Sequence, residues 1–252
     1  MVLTALRGAL GFLSRLPVDH DADAWTAFRS APVAFVLAGY VLGLVIGAPV
    51  VLAALLGLPA PTLALVYLLA VYLVTGVNHA DGVADLGDAL AVHGDPPERR
   101  AVMKDTTVGV GALLALALVV AGLALGALSL SGPAPLAAAG LVIATEVGAK
   151  LGLAAVACLG TASHDGFGAE FTSRAGPAQL LGPAVLALPA ALLTVPSPGG
   201  LLALVAGGVT AVVAVRLADA RLDGVGGDVF GAVNEFGRVF ALHAGVIGWL
   251  LL

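Results

Sequence analysis

Charge is what this sequence has least of. Only 11% of its 252 residues are Asp, Glu, Lys or Arg, against roughly 25% in an ordinary soluble domain. That leaves too little polar surface to cover a globule, which excludes a water-soluble enzyme and turns the apolar exterior toward lipid. Cysteine is scarcer still. Cys158 stands alone, so there is no internal disulfide and no multi-thiolate metal site; a metal, where one is used, is a hard ion held by oxygen. Positive charge is also in deficit, with a net charge of −5 and a pI near 5.4. A nucleic-acid partner is thereby excluded, because neutralising phosphates needs a basic surface. What fills the chain is hydrophobic: 60% of residues and a mean hydropathy of +1.07, with 34 glycines among the rest.

Three stretches carry no charge at all: between Arg29 and Asp81, between Asp105 and Glu146, and between Arg174 and Arg216. Each is longer than the roughly 20 residues of one membrane helix, and each is broken near its middle by Pro or Gly, at 57–61, 131–135 and 196–200. Each therefore reads as a helical hairpin. Spans are expected near 32–56, 61–79, 108–130, 135–158, 177–195 and 200–218, with a last one ending at residue 252. The fold class is all-α, a polytopic membrane bundle of seven transmembrane helices forming one domain over 1–252. Six is the alternative, because 239–252 is short for a span unless the helix begins near Val229 and Arg238 snorkels to the headgroups. Within the amino-terminal segment 1–30, Leu3, Leu6, Leu10 and Leu13 interleave with Arg7 and Ser14, which suits a helix lying in the interface. A signal peptide fits less well, since Arg7 and Arg15 break the apolar run and no small-residue cleavage site follows.

The cations fall in alternate loops. Arg7, Arg15 and Arg29 precede the first span; Arg99, Arg100 and Lys104 follow the second; Arg174 follows the fourth; Arg216, Arg221 and Arg238 surround the sixth loop. Because Lys and Arg stay inside, the amino terminus is expected in the cytoplasm and the carboxyl terminus outside, in a multi-pass protein of the plasma membrane. Every Asp and Glu except Glu146 then lies on the cytoplasmic face.

That face carries the chemistry. Asp81, Asp85 and Asp88 are three and four residues apart, so they share one side of a helix. Such neighbours repel and raise one another's pKa unless a cation intervenes, and oxygen donors favour magnesium or manganese over zinc. The plainer reading is a solvated helix end, set against the cost of polar groups at membrane depth. Asn78 and His79 precede the acids; His79 suits a hydrogen bond to a neighbour as well as a ligand. Asp95-Pro-Pro-Glu98 reads as a capping box with Pro at the first helical position. After it, Lys104 stands before a third-span start capped by Thr106 or Thr107, with Gly109 behind, a positive helix end suited to phosphate. Asp105 adds a further carboxylate. The competing reading is ordinary capping and positive-inside charge.

Two more loops share the face. Residues 163–174, with Asp165, either grip substrate or merely connect. Residues 223–235 hold glycines that allow close backbone approach, and Asp228 and Glu235, seven apart, face one side of the helix that follows. They form a second acidic cluster that meets the first. Glu146 and Lys150, four apart inside the fourth span, suit an intrahelical ion pair.

In combination these strings resemble a known family. Gly-Val-Asn-His-Ala-Asp-Gly-Val-Ala-Asp-Leu-Gly-Asp (76–88), Met-Lys-Asp (103–105) and Gly-Gly-Asp-Val-Phe-Gly-Ala-Val-Asn-Glu (226–235) closely resemble the cobalamin synthases, or adenosylcobinamide-GDP ribazoletransferases. Gly-Phe-Leu-Ser-Arg-Leu-Pro-Val (11–18) and Asp-Gly-Phe-Gly (165–168) fit in order. Ala80 stands where many members have Leu, and Thr106-Thr107 where many have Ser-Arg. The resemblance implies a magnesium-dependent phosphotransferase that joins adenosylcobinamide-GDP to α-ribazole or its 5′-phosphate and releases GMP. It implies Asp81, Asp85, Asp228 and Glu235 on the metal. Asp88 would serve as base or second ligand, Lys104 on the pyrophosphate and Asp105 in the catalytic group. Asn78, His79, Thr106, Gly109, Asp165 and Asn234 would surround the substrates. Membrane lipid is the other partner, and a homo-oligomer or a complex with other corrinoid-pathway enzymes is left open. The rivals are an ion-coupled transporter, whose site belongs near the midplane, and a CDP-alcohol phosphotransferase, whose signature Ala84 and Asp85 do not follow.

Overall fold

A computed structural model describes residues 2–19 and 21–251; the expected end of the last span at residue 252 lies outside them. The chain is helical: α1 (Val2–Leu13), α2 (Ala22–Arg29), α3 (Val33–Leu55), α4 (Ala60–Thr75), α5 (Asn78–Ala91), α6 (Pro96–Val102), α7 (Val110–Leu128), α8 (Pro135–Leu159), α9 (Phe167–Thr172), α10 (Leu181–Ala191), α11 (Gly199–Leu222) and α12 (Gly227–Leu250). Five segments are long and apolar enough to cross a membrane: Val33–Leu55, Val110–Ser131, Pro135–Leu159, Pro177–Thr194 and Gly199–Leu222. They follow the uncharged stretches, because Pro and Gly end a helix locally whatever packs around it. Their outer faces expose Leu44, Leu118, Leu136, Leu188 and Val209, an apolar surface for lipid.

The α8 helix is the axis, with 94% of its most apolar window buried among α3, α10, α11 and α12. Small residues make that possible. A Cβ placed on Gly207 of α11 would lie 2.0 Å from the carbonyl oxygen of Gly148, and one on Gly43 of α3 would lie 2.7 Å from the Cα of Ile143. Backbones therefore touch where the helices cross.

Two departures from the expected spans follow from tertiary contacts. The second span stops at Thr75, because Gly76 takes a left-handed φ of 74° and the chain bends through 98° into α5. The pair α4 and α5 makes a sixth crossing only as a bent unit. The last helix starts at Gly227, near the expected residue, yet it is an interior helix packed against α5, α7, α8 and α11.

Its charges are inside the protein. Arg238, expected to snorkel, is fully buried, as are Glu146 and Lys150, and Glu235 is 1% exposed. Lys150 donates to Glu146 at 2.7 Å. Arg238 donates through Nε and Nη2 to Glu146 and through Nη1 to both oxygens of Glu235 at 2.8 Å. The intrahelical pair is present, but as half of a neutral quartet joining α8 to α12. With no path to water, each charge is retained only because its opposite sits on the facing helix.

Removing one acid from this quartet leaves a guanidinium and an ammonium to share one carboxylate. Glu146→Ala is expected to cost about 3–5 kcal/mol, read as a lowered thermal midpoint in detergent, with Glu146→Gln between it and the unsubstituted protein. An unchanged midpoint for both would contradict the network.

Candidate active site

The corner at Gly76 sets the site. Arg15 donates its backbone N–H to the carbonyl of Val74 at 2.7 Å, tying the amino-terminal segment to the corner, and α5 then runs across one end of the bundle onto α12. The crossing is made at glycines: a Cβ on Gly82 would lie 2.8 Å from the Cα of Asp228, and one on Gly231 would lie 2.9 Å from the carbonyl oxygen of His79. Asp81 and Asp228, far apart in sequence, are thus brought to the same end of the molecule.

Three adjoining hollows open there. The first, about 310 Å³, is lined by Asp81, Asp85 and Asp88 on one side and by Lys104, Asp105, Thr106 and Thr107 on the other. Burial, followed by the charges of Asp228, Asp81 and Asp88, pushes the Asp85 carboxyl up to about 6. The second hollow, about 270 Å³, holds Arg100, Lys104, Ser163, His164 and Asp228. The third, about 200 Å³, holds Asn78, His79 and Asp228 among Phe12, Phe167 and Phe230. Met103 and Lys104 belong to the first two hollows and Asp228 to the last two, so they form one continuous trough.

Asp88 is occupied differently from expectation. Its two carboxylate oxygens accept the backbone N–H groups of Gly109 at 2.7 Å and Ala112 at 2.9 Å. The positive end of α7, expected to cradle phosphate behind Thr106 or Thr107, is filled by the protein's own anion. Gly109 is the capping residue, and a Cβ there would lie 2.4 Å from Asp88 Oδ1. The close crossing of Gly87 with Gly111 delivers the carboxylate. Asp88 is therefore a structural cap between α5 and α7, not a free base. Asp105 also serves its own loop, accepting the N–H of Thr107 at 3.0 Å.

The loop 163–174 is more than a connection. Its start is tied to the loop before α12, with Val225 donating to the carbonyl of Thr161 at 2.8 Å and Ser163 donating to that of Val225 at 3.3 Å. This carries Ser163 and His164 to Asp228. Asp165 is exposed and lines none of the three hollows. Arg100 is held by Asp223 at 2.6 Å and by the carbonyl of Leu222 at 2.7 Å. The Lys104 ammonium makes no hydrogen bond or ion pair among the described residues.

Asn234 and Glu235 are corrected. Two turns past Asp228, they sit about 10 Å deeper along α12. There Asn234 donates to Glu235 Oε1 at 3.0 Å and Glu235 is taken by Arg238. Glu235 is 1% exposed and lines none of the three hollows. The site also contains residues not individually expected there: Arg100 of the basic helix, Ser163 and His164 at the start of the loop expected to grip substrate or merely connect, and the aromatic wall. Their only sequence signal was proximity to the polar strings, since the contact between two distant loops is not written locally.

Residues 5–246 match the family described as cobalamin-5-phosphate synthase. The chain belongs to that family. An adenosylcobinamide-GDP ribazoletransferase of Halorubrum lacusprofundi is 51% identical over 259 residues, covering 99% of each chain. One of Haloquadratum walsbyi is 45% identical over the whole of both chains. One of Xanthobacter autotrophicus is 36% identical over 91% of each. No solved structure matches the chain.

For a cobalamin synthase, the question is whether the trough fits a magnesium ion. Among the described residues, no group of three His, Cys, Asp or Glu side chains is placed to hold a metal by itself. The expected set of Asp81, Asp85, Asp228 and Glu235 on one ion is therefore not assembled; magnesium is commonly held by one or two carboxylates together with substrate phosphates and water. The carboxylates of Asp81, Asp85 and Asp228 supply hard oxygens and make no ion pair or hydrogen bond among the described residues. His79 is 7% exposed, and its Nδ1 is buried without a partner. Burial pushes its pKa down to about 4, so the ring is neutral at pH 7.

The capping role of Asp88 separates it from a catalytic base. Asp88→Asn keeps an oxygen for the α7 terminus, and turnover is expected within about tenfold of the unsubstituted protein, whereas a general base would lose 10²-fold or more. Asp88→Ala is expected to cost about 1 kcal/mol of stability. Turnover and thermal midpoint measured on both variants check this.

Proposed function

We propose that this cobalamin synthase joins adenosylcobinamide-GDP to α-ribazole, or to its 5′-phosphate, releasing GMP and giving adenosylcobalamin or its 5′-phosphate. The observation that carries the reading is the set of side chains Asp81, Asp85, Asp228 and Lys104, without ion pairs among the described residues, gathered in one trough at the end of the bundle. A ribose hydroxyl of the acceptor attacks the phosphorus bonded to cobinamide, and the bond from that phosphorus to the oxygen bridging to GMP breaks. Such a transfer needs little covalent help from the protein but much positioning and charge compensation.

The roles follow the geometry. Asp81 and Asp85 would hold a magnesium ion, which when bound would offset the charge that builds on the phosphoryl oxygens. Lys104, with Arg100 and His164 beside it, receives the diphosphate from the second hollow. Asp228 stands where the phosphate hollow meets the aromatic one, positioned to orient the attacking hydroxyl and take its proton. An ion-coupled transporter would need a free carboxylate near the midplane, whereas Glu146 and Glu235 are both bound to cations.

The trough faces the cytoplasm in this reading, because Arg15, Arg99, Arg100, Lys104, Arg174 and Arg221 gather at its end of the bundle. Cys158 is buried, so a Thr106→Cys protein carries one exposed thiol. It should react with an impermeant maleimide in inverted membrane vesicles and not in intact cells; the reverse pattern would invert the topology. Purified protein given both substrates should release GMP with magnesium and not with EDTA. Asp81→Asn and Asp228→Asn should each lower turnover about 10²-fold or more. Movement of a substrate across liposomes without GMP release would overturn the reading.

A further inference from the structure

The third hollow has a composition the phosphotransfer does not require. Aromatic residues make up 5% of the chain, with eight phenylalanines in all, yet Phe12, Phe28, Phe35, Phe167, Phe171 and Phe230 converge from four parts of the sequence into one cluster around Trp25. Most are buried. Phe12 and Phe167 are only half-buried and lie stacked, with centroids 4.7 Å apart and planes at 20°, at the wall of the hollow. A core needing only apolar volume would be served by the Leu and Val that dominate this sequence.

Polar groups meet the aromatic wall. Asn78, His79 and Asp228 line the same cavity, and His79 stands edge-on to Phe12 at 6.3 Å. The His79 Nδ1, buried with no partner, is a group whose desolvation has no compensation within the chain. The free volume of about 200 Å³ is room for a flat bicyclic ring and not for a corrinoid.

We infer that this hollow is the binding subsite for the planar, nitrogen-bearing base of the acceptor nucleoside. The base extends the Phe12–Phe167 stack and its free ring nitrogen pairs with His79, which leaves the ribose at Asp228. The inference rests on the reaction proposed above and adds to it which end of the trough takes which substrate. Stacking on an aromatic ring tolerates variation in the base, while the single histidine contact selects for a ring nitrogen.

The test is a split of Michaelis constants. In Phe167→Leu and Phe12→Leu, KM for α-ribazole should rise about tenfold or more, with KM for adenosylcobinamide-GDP within about twofold, and Phe167→Tyr should restore the acceptor value. His79→Leu should erase the preference for acceptors whose base keeps its free ring nitrogen. A binding readout guards against misfolded variants. In Trp249→Phe, where Trp25 is the remaining tryptophan, α-ribazole alone should change the emission, and adenosylcobinamide-GDP alone should not. An unshifted acceptor KM in both leucine variants, or an emission change driven by the donor, overturns the subsite while leaving the reaction standing. Absence of turnover in the unsubstituted protein overturns the reaction itself.

Discussion

Everything at the polar end depends on how α12 is rotated, and that rotation is held by the buried quartet of Glu146, Lys150, Glu235 and Arg238. Arg238 grips a carboxylate on each of two helices, so α12 cannot turn on its axis without unpairing a charge inside the bundle. Glu235 and Asp228 are seven residues apart and share a face. Fixing the first toward α8 therefore aims the second into the trough above it. Well-packed apolar side chains would serve stability as well as such a quartet or better; what ionic pairing adds is a single permitted orientation.

A second constraint comes from glycine. Gly76 allows the reversal that lays α5 across the bundle end, and Gly82 and Gly87 let it press against α12 and α7. Close approach to α7 has an electrostatic consequence. The positive end of a helix is an obvious place for a phosphate, but Asp88 arrives first and takes two of its N–H groups. In the proposed reading, anion recognition passes from backbone to side chains, to Lys104 with Arg100 and His164. Those side chains can adjust to a bulky diphosphate more readily than a rigid helix terminus.

How much of this was legible follows from how local each signal is. The spans at 33–55, 110–131, 135–159, 177–194 and 199–222 were readable because uncharged runs and their Pro or Gly breaks act within a few residues. The meeting of Asp81 with Asp228 was readable as charge on one face of the membrane. The partners of individual side chains were not. Asn234 and Glu235 end the same family-like string that starts at Gly226, and nothing in that string shows that two helical turns carry them from the trough into the core. Arg238 looked like a residue reaching for headgroups because its counter-charge Glu146 lies 92 positions away. The aromatic wall was invisible for the same reason, since Phe12, Phe167 and Phe230 are single residues in three unrelated segments.

The placement of unpaired charge divides structure from chemistry in this protein. Inside the bundle, Glu146, Lys150, Glu235 and Arg238 each have an opposite charge within hydrogen-bond reach, and buried Arg99 donates to the carbonyls of Ala89 and Gly94, as burial demands. At the trough the rule is suspended: Asp81, Asp85 and Asp228 face one another without an ion pair among the described residues, and burial, followed by the neighbouring carboxylates, raises the Asp85 pKa. A helix end built only for stability would have spread those carboxylates or paired them with Lys104, which lines the same hollow and is left free. Keeping both signs apart in a shared cavity has a cost in the empty protein, and it is offset when a ligand brings anionic oxygens for Lys104 and a divalent ion for the aspartates together. A metal-bound diphosphate has that composition.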